Sequence, residues 1–217
     1  MDAQTLLSAL LFAAAGYACG SVPVGVIVAR AIGGPDPRTV GSGRTGTTNA
    51  LRALGPGGAA IVVVGDLLKG VVPVALAALI ADGNLAVEAA AGIAAVIGSC
   101  RSVFLAFGGG RGVMTLAGTM LVIRPEALLV AAPAFAVTVL ATRYMSVGSL
   151  VGCASLPVGV VAIGILSTGA IAWGELAYAT LGAAIVWIAH ADNLDRLVHG
   201  TERRFDFGRL RGKAREG

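Results

Sequence analysis

Val147-Gly-Ser-Leu-Val-Gly-Cys-Ala-Ser-Leu-Pro-Val-Gly-Val-Val-Ala-Ile-Gly-Ile-Leu-Ser-Thr168 carries no charged residue. At about 1.5 Å per residue, a helix of this length reaches about 33 Å, enough to cross the roughly 30 Å hydrocarbon core of a bilayer. Similar apolar runs occupy 4–30, 57–80, 85–99, 112–123, 126–142 and 171–190. Seven runs in 217 residues predict an all-α, polytopic membrane protein: a seven-helix transmembrane bundle. The runs 85–99 and 112–123 are short. They are expected to be half-spans flanking a loop that enters the membrane, which protein or a wet cavity must cover.

Composition agrees. Hydrophobic residues are 56% of the chain and charged residues 13%, with a mean hydropathy of +0.85. Soluble domains carry nearer 25% charge, so a soluble fold and disorder are both excluded. The 32 glycines against few aromatics predict thin, closely packed helices. The first run has Asp2 and no basic residue before Arg30, so it reads as a mature span rather than a cleaved leader. The chain reads as a single membrane domain, 1–217, ending in a basic tail, 191–217. Cys19, Cys100 and Cys153 lie far apart in apolar runs, and His190 and His199 are too few for a zinc site, so no metal is expected.

Charge orients the bundle. With the N-terminus outside, fifteen of the sixteen Lys and Arg residues fall on the inner side and only Arg124 outside. Arg209, Arg211, Lys213 and Arg215 in the tail belong to the inner set, and contact with anionic lipid is the expected role of most of that tail. The chain is expected in the plasma membrane, with its C-terminus cytoplasmic.

The polar residues gather on that inner side. Gly33 to Arg52 reads GGPDPRTVGSGRTGTTNALR. Gly41, Gly43 and Gly46 permit backbone amides to converge on an anion. Ser42, Thr45, Thr47, Thr48 and Asn49 add short polar groups, and Arg38, Arg44 and Arg52 add charge. No G-K-[ST] ends the run, so it is not a Walker A loop. Arg101 and Phe107-Gly-Gly-Gly-Arg-Gly112, between the short runs, form a second candidate anion loop. Gly41–Thr48 and Gly108–Thr115 both read G-x-G-R-x-x-x-T. Asp66 and Lys69, three apart inside the second run, are placed to pair or to support the site. Ser146 and Ser149, in Arg143-Tyr-Met-Ser-Val-Gly-Ser149, and His190 and Asn193, at the end of the last run, complete the set.

At these residues the chain resembles the acyl-phosphate:glycerol-3-phosphate acyltransferase family, the PlsY type. Ser21-Val-Pro-Val-Gly25 resembles its S-x-P-x-G, and the Gly41–Arg52 segment its G-S-G-N-x-G-A-T-N-x-x-R loop. Asp66-Leu-Leu-Lys-Gly70 resembles D-x-x-K-G, and Val103–Gly112 resembles V-F-L-x-F-K-G-G-K-G. Arg143–Ser149 resembles R-Y-x-S-x-x-S, and His190–Glu202 resembles H-R-x-N-x-x-R-L…G-T-E. The chain departs from the pattern at Arg44 (Asn in the family), Ser99 (His), Ser102 (Pro), Gly108 (Lys or Arg), Arg111 (Lys) and Ala191 (Arg).

The resemblance implies acyl transfer from acyl phosphate to the 1-hydroxyl of glycerol 3-phosphate, giving lysophosphatidic acid and phosphate. It implies no acyl-CoA or acyl carrier protein donor and no metal. No cofactor and no nucleic-acid partner are expected, the bilayer is the setting, and of the oligomeric states, which the sequence leaves open, a monomer is favoured. By position, Ser42, Arg52, Arg111, His190 and Asn193 take the catalytic places. Gly41, Gly43, Arg44, Gly46, Thr47, Thr48, Asn49, Gly109, Gly110, Ser146 and Ser149 are the substrate-binding candidates. The activated donor requires no enzyme nucleophile, and no G-x-S-x-G elbow is present. His190 is read as a positioning hydrogen-bond partner rather than an obligatory base. Two rival classes are an organic-anion transporter, disfavoured by the one-sided arginines, and a catalytically weak paralogue acting as a membrane scaffold.

Overall fold

The computed structural model describes residues 2–208 and is all-helical over that range. Arg209, Arg211, Lys213 and Arg215 of the tail lie outside the described residues. The helices are α1 (Ala3–Ser21), α2 (Val24–Ala31), α3 (Thr47–Ile80), α4 (Leu85–Cys100), α5 (Val113–Ile123), α6 (Leu128–Thr142), α7 (Met145–Thr168), α8 (Trp173–Ala189) and α9 (Ala191–Val198).

Each apolar run meets a helix, with instructive differences. The first run is broken at Pro23, which separates α1 from α2, and the two together form one 29-residue span. Asp2 starts it, its carboxylate accepting from the Thr5 amide at 2.7 Å. The second run begins earlier than expected. Residues 47–54 are already helical, and the chain kinks at Gly55 (φ +71°) before Pro56 restarts the helix. The expected half-span at 85–99 is corrected: with the turn at Val103–Leu105 it becomes a 21-residue candidate span. α5 is the true short segment. Its 11 residues reach only about 16 Å, and Leu116 and Met120 on it are fully buried among α4, α7 and α8.

Glycine sets the spacing. A side chain at Gly70 would collide with the Thr115 carbonyl of α5, and one at Gly118 with the Leu67 carbonyl of α3. Gly16 and Gly20 meet α4 at the Ala91 and Ala95 carbonyls in the same way, the close contact that a G-x-x-x-G face permits. The perimeter is apolar, with Leu7, Leu11, Leu129, Leu140, Leu166 and Ile188 all exposed, as a lipid-facing surface requires.

Alternation along the chain brings the segments 32–46, 101–112, 143–144 and 190–206 to one end of the bundle. They interlock there. Ser102 Oγ donates to the Ser21 carbonyl, and Phe205 N donates to the Arg143 carbonyl at 2.6 Å. Phe205 packs with Leu51 and Ala59. At the other end Arg124 sits 3.2 Å from Glu175 and 3.6 Å from Glu126. Residues 191–206 are therefore not simply a lipid-binding tail. They form α9 and a segment that returns across the polar end.

Candidate active site

A cavity of about 320 Å³ opens at this polar end. Ser42, Arg44, Gly46, Thr47, Thr48, Asn49 and Arg52 line it from the first loop and the start of α3. Gly110, Arg111 and Thr115 line it from the second loop and α5, Ser146 and Ser149 from α7, and His190 and Asn193 from the α8–α9 junction. Both anion loops thus face one space. Thr48 and Thr115, the last residues of the G-x-G-R-x-x-x-T echo, both border it. Gly41, Gly43 and Gly109 do not. Gly41 borders a neighbouring cavity that shares Thr48, Arg52 and Arg203 with the first. Gly109 has no room for a side chain against the Ser99 and Cys100 carbonyls.

The glycine loop works differently from the expected nest of backbone amides. The Ser42 amide donates to Asn49 Oδ1 at 3.2 Å, and the Gly43 amide donates to the Val40 carbonyl at 3.0 Å. Asn49 Nδ2 lies within reach of the Pro37, Val40 and Arg44 carbonyls, the last two at 3.0 and 2.8 Å. Its amide is used within the loop, although Asn49 also borders the cavity. The positive φ of Gly41 and Gly43 lets the loop wrap around this side chain. Arg38 turns away and pairs with Asp36 at 2.6 Å on the surface. Because 47–52 is helical, Thr48 and Arg52 stand four apart on one face, and the amides opening α3 have no intrahelical acceptor.

Arg44 points inward. It reaches Asp192 Oδ1 at 3.7 Å, while Arg111 and Arg196 hold Asp192 Oδ2 at 2.9 and 3.3 Å. Burial alone would raise the Asp192 pKa, but Arg111, Arg44 and Arg196 outweigh it and keep the carboxylate ionised. Glu202 is the second anchor. It accepts from Ser146 Oγ at 2.9 Å, Asn193 Nδ2 at 2.7 Å and Arg196 Nε at 2.7 Å. Burial pushes its pKa up, and these three donors more than reverse that. The Ser146 hydroxyl and the Asn193 amide are therefore committed to Glu202, and Ser149 donates to the Met145 carbonyl at 2.8 Å. Both serines line the cavity with their hydroxyl hydrogens engaged by protein acceptors.

Several buried polar atoms in the lining have no hydrogen-bond partner among the described residues: Thr47 Oγ1, Arg111 Nε and Asn193 Oδ1. Such groups are costly to leave unmet in an occupied site, and they mark where a polar ligand fits. His190 is 2% exposed, and its Nδ1 lies 2.8 Å from the Val186 carbonyl. A carbonyl only accepts, so Nδ1 carries the proton and Nε2 keeps its lone pair. Burial lowers the His190 pKa to about 4, so the ring is neutral at physiological pH. Asp66 borders the cavity and is paired with Lys69 at 3.0 Å, the expected ion pair. Asp192, Arg196 and Glu202 were missed as site residues. Their signal was the spacing after His190, where α9 and the segment behind it return these side chains to the site.

The described residues contain no group of three or more His, Cys, Asp or Glu side chains placed to hold a metal. The family model for glycerol-3-phosphate acyltransferase matches residues 10–200. A glycerol-3-phosphate acyltransferase of Rubrobacter xylanophilus is 42% identical over 190 residues, covering 88% of this chain and 92% of the relative. One from Thermus thermophilus is 43% identical over 200 residues, covering 92% of this chain and 93% of the relative. A crystal structure of PlsY, an integral membrane glycerol 3-phosphate acyltransferase, in its glycerol 3-phosphate form superposes with a TM-score of 0.81 at 30% identity, covering 95% of this chain and all of that one. Its lysophosphatidic acid form gives 0.80 at 29% identity, with the same coverage. With the model matched over most of its length and relatives above 40% identity, the chain belongs to the glycerol-3-phosphate acyltransferase family.

Proposed function

We propose that this protein transfers a fatty acyl group from acyl phosphate to the 1-hydroxyl of glycerol 3-phosphate, releasing lysophosphatidic acid and phosphate for phospholipid synthesis. The observation that carries the reading is the meeting of Arg44, Arg52 and Arg111 around one cavity at the end of an apolar bundle. Two phosphate heads need that charge, and an acyl tail needs the lipid-facing helices beside it. The family's crystal structures with glycerol 3-phosphate and lysophosphatidic acid support the acceptor and the product class.

In the reaction the glycerol hydroxyl oxygen bonds to the acyl carbonyl carbon, the bond from that carbon to the phosphate oxygen breaks, and the hydroxyl proton leaves with a phosphate oxygen. Arg52 and Arg111 stabilise the charge growing on the departing phosphate. His190 Nε2 and Asn193 Oδ1 are acceptors that orient the attacking hydroxyl. A pKa of about 4 makes His190 a weak base. A phosphate group, with a second pKa of about 6, is the better proton acceptor. The site faces the cytoplasm, with the N-terminus outside, because the arginine-rich loops share one end.

The test is purified protein with labelled glycerol 3-phosphate and either acyl phosphate or acyl-CoA. Lysophosphatidate should form with acyl phosphate alone, and equal turnover with acyl-CoA would refute the donor. A reporter fused after Gly217 should behave as cytoplasmic.

A further inference from the structure

Asp192 does not itself line the cavity, but it places a negative charge against arginines that do. Its carboxylate lies 2.9 Å from Arg111, 3.3 Å from Arg196 and 3.7 Å from Arg44. These arginines line the cavity, together with Arg52. We propose that Asp192 is an internal counter-anion that competes with phosphate for Arg44 and Arg111 and so limits how tightly the site holds inorganic phosphate.

Three features of the geometry favour this over a purely structural pairing. The Arg44 contact is the longest of the three, and Asp192 Oδ1, on that side, is buried without a hydrogen-bond partner among the described residues. Arg111 leaves its Nε unmatched, so its fork is only partly occupied. Arg196 stands four residues on in α9, so Asp192 keeps a charged partner from its own helix when the other two arginines turn to a phosphate. Asp192 is thus a positioning residue that gives way. Without such a carboxylate, the five arginines that line the cavity, Arg203 among them, would hold a phosphate dianion more tightly. Arg44, which is Asn in the family pattern, is one of the cations that Asp192 offsets in this chain.

The proposal rests on the acyl-transfer reading only for the identity of phosphate as a product. It is tested on the full-length protein in detergent by titrating inorganic phosphate calorimetrically, without turnover. Asp192→Asn should bind phosphate about tenfold tighter or more, since a like charge within a few ångströms of the anion is removed. Asp192→Ser should shift in the same direction, and Asp192→Glu, which keeps the charge, should stay within about threefold of the parent. In turnover, product inhibition by phosphate should strengthen in the neutral variants. Unchanged or weaker phosphate binding in Asp192→Asn, or Asp192→Glu behaving like it, would overturn the proposal. Misfolding of both neutral variants would make Asp192 structural and overturn it equally. If the parent protein makes no lysophosphatidate, the acyl-transfer reading fails by itself, and the phosphate titration still decides the role of Asp192.

Discussion

Asn49→Ala removes the side chain around which the first loop is wound. Its Oδ1 accepts from the Ser42 amide, and its two N–H hydrogens are shared among the Pro37, Val40 and Arg44 carbonyls. Counting one accepted and two donated bonds at about 1 kcal/mol each, the loop loses about 3 kcal/mol. If that loss is taken from the wound loop described above, the competent fraction and kcat/KM fall by up to about 150-fold. Asn49→Asp should be worse, because a carboxylate would then face three carbonyl oxygens. The distinctive readout is limited trypsinolysis, since Arg38 and Arg44 are cleavage sites within the loop. Cleavage there should accelerate in Asn49→Ala in the absence of substrate. A variant with impaired kinetics but a cleavage rate equal to the parent would show that Asn49 contacts substrate directly, and the account of the loop would be wrong.

Arg44→Asn and Arg111→Ala each delete a charge-assisted contact of roughly 1.5–3 kcal/mol, so kcat/KM should fall about 10- to 150-fold. Arg38→Ala, at a surface pair, should be nearly silent, and equal effects at all three would point to bulk surface charge. His190 has a folded pKa of about 4 against 6.5 for the free side chain. The unfolded chain therefore binds the extra proton between those values, so its contribution to stability is complete above pH 6.5 and declines as pH falls towards 4. The thermal midpoint should fall across that window, and His190→Asn should flatten the decline. Gly118→Ala presses a methyl group into the Leu67 carbonyl and should cost about 1–3 kcal/mol. Gly57→Ala, in open space within the same fold, should leave the thermal midpoint unchanged.

The membrane segments were legible because a bilayer demands long apolar runs, a demand relaxed only where neighbouring helices cover the short α5 and where Asp66 pairs with Lys69. Their ends were less legible. Thr47–Leu54 is helical although Gly55 and Pro56 follow, because a left-handed glycine lets one helix pass into another. The gathering of Arg44, Arg52, Arg111, His190 and Asn193 was readable from their motifs and from the alternation of the spans. Which hydrogen bonds these and the smaller groups make was not. Asn49, Ser146 and Ser149 look like ligand donors in a sequence, since a short polar side chain is written the same whether it meets a substrate or a carbonyl. Glu202 lies 12 residues after His190 and reaches the site only because α9 and the Phe205 contact fold the chain back.

The return of residues 201–206 has a consequence for biosynthesis. Every membrane segment precedes Glu202 in the chain, yet Ser146, Asn193 and Arg196 are tied together by that one carboxylate. A nascent chain whose last span has already entered the bilayer still lacks the clasp across its polar end. The clasp that ties α7 to α9 therefore closes only after every membrane segment has been made, when this carboxylate emerges.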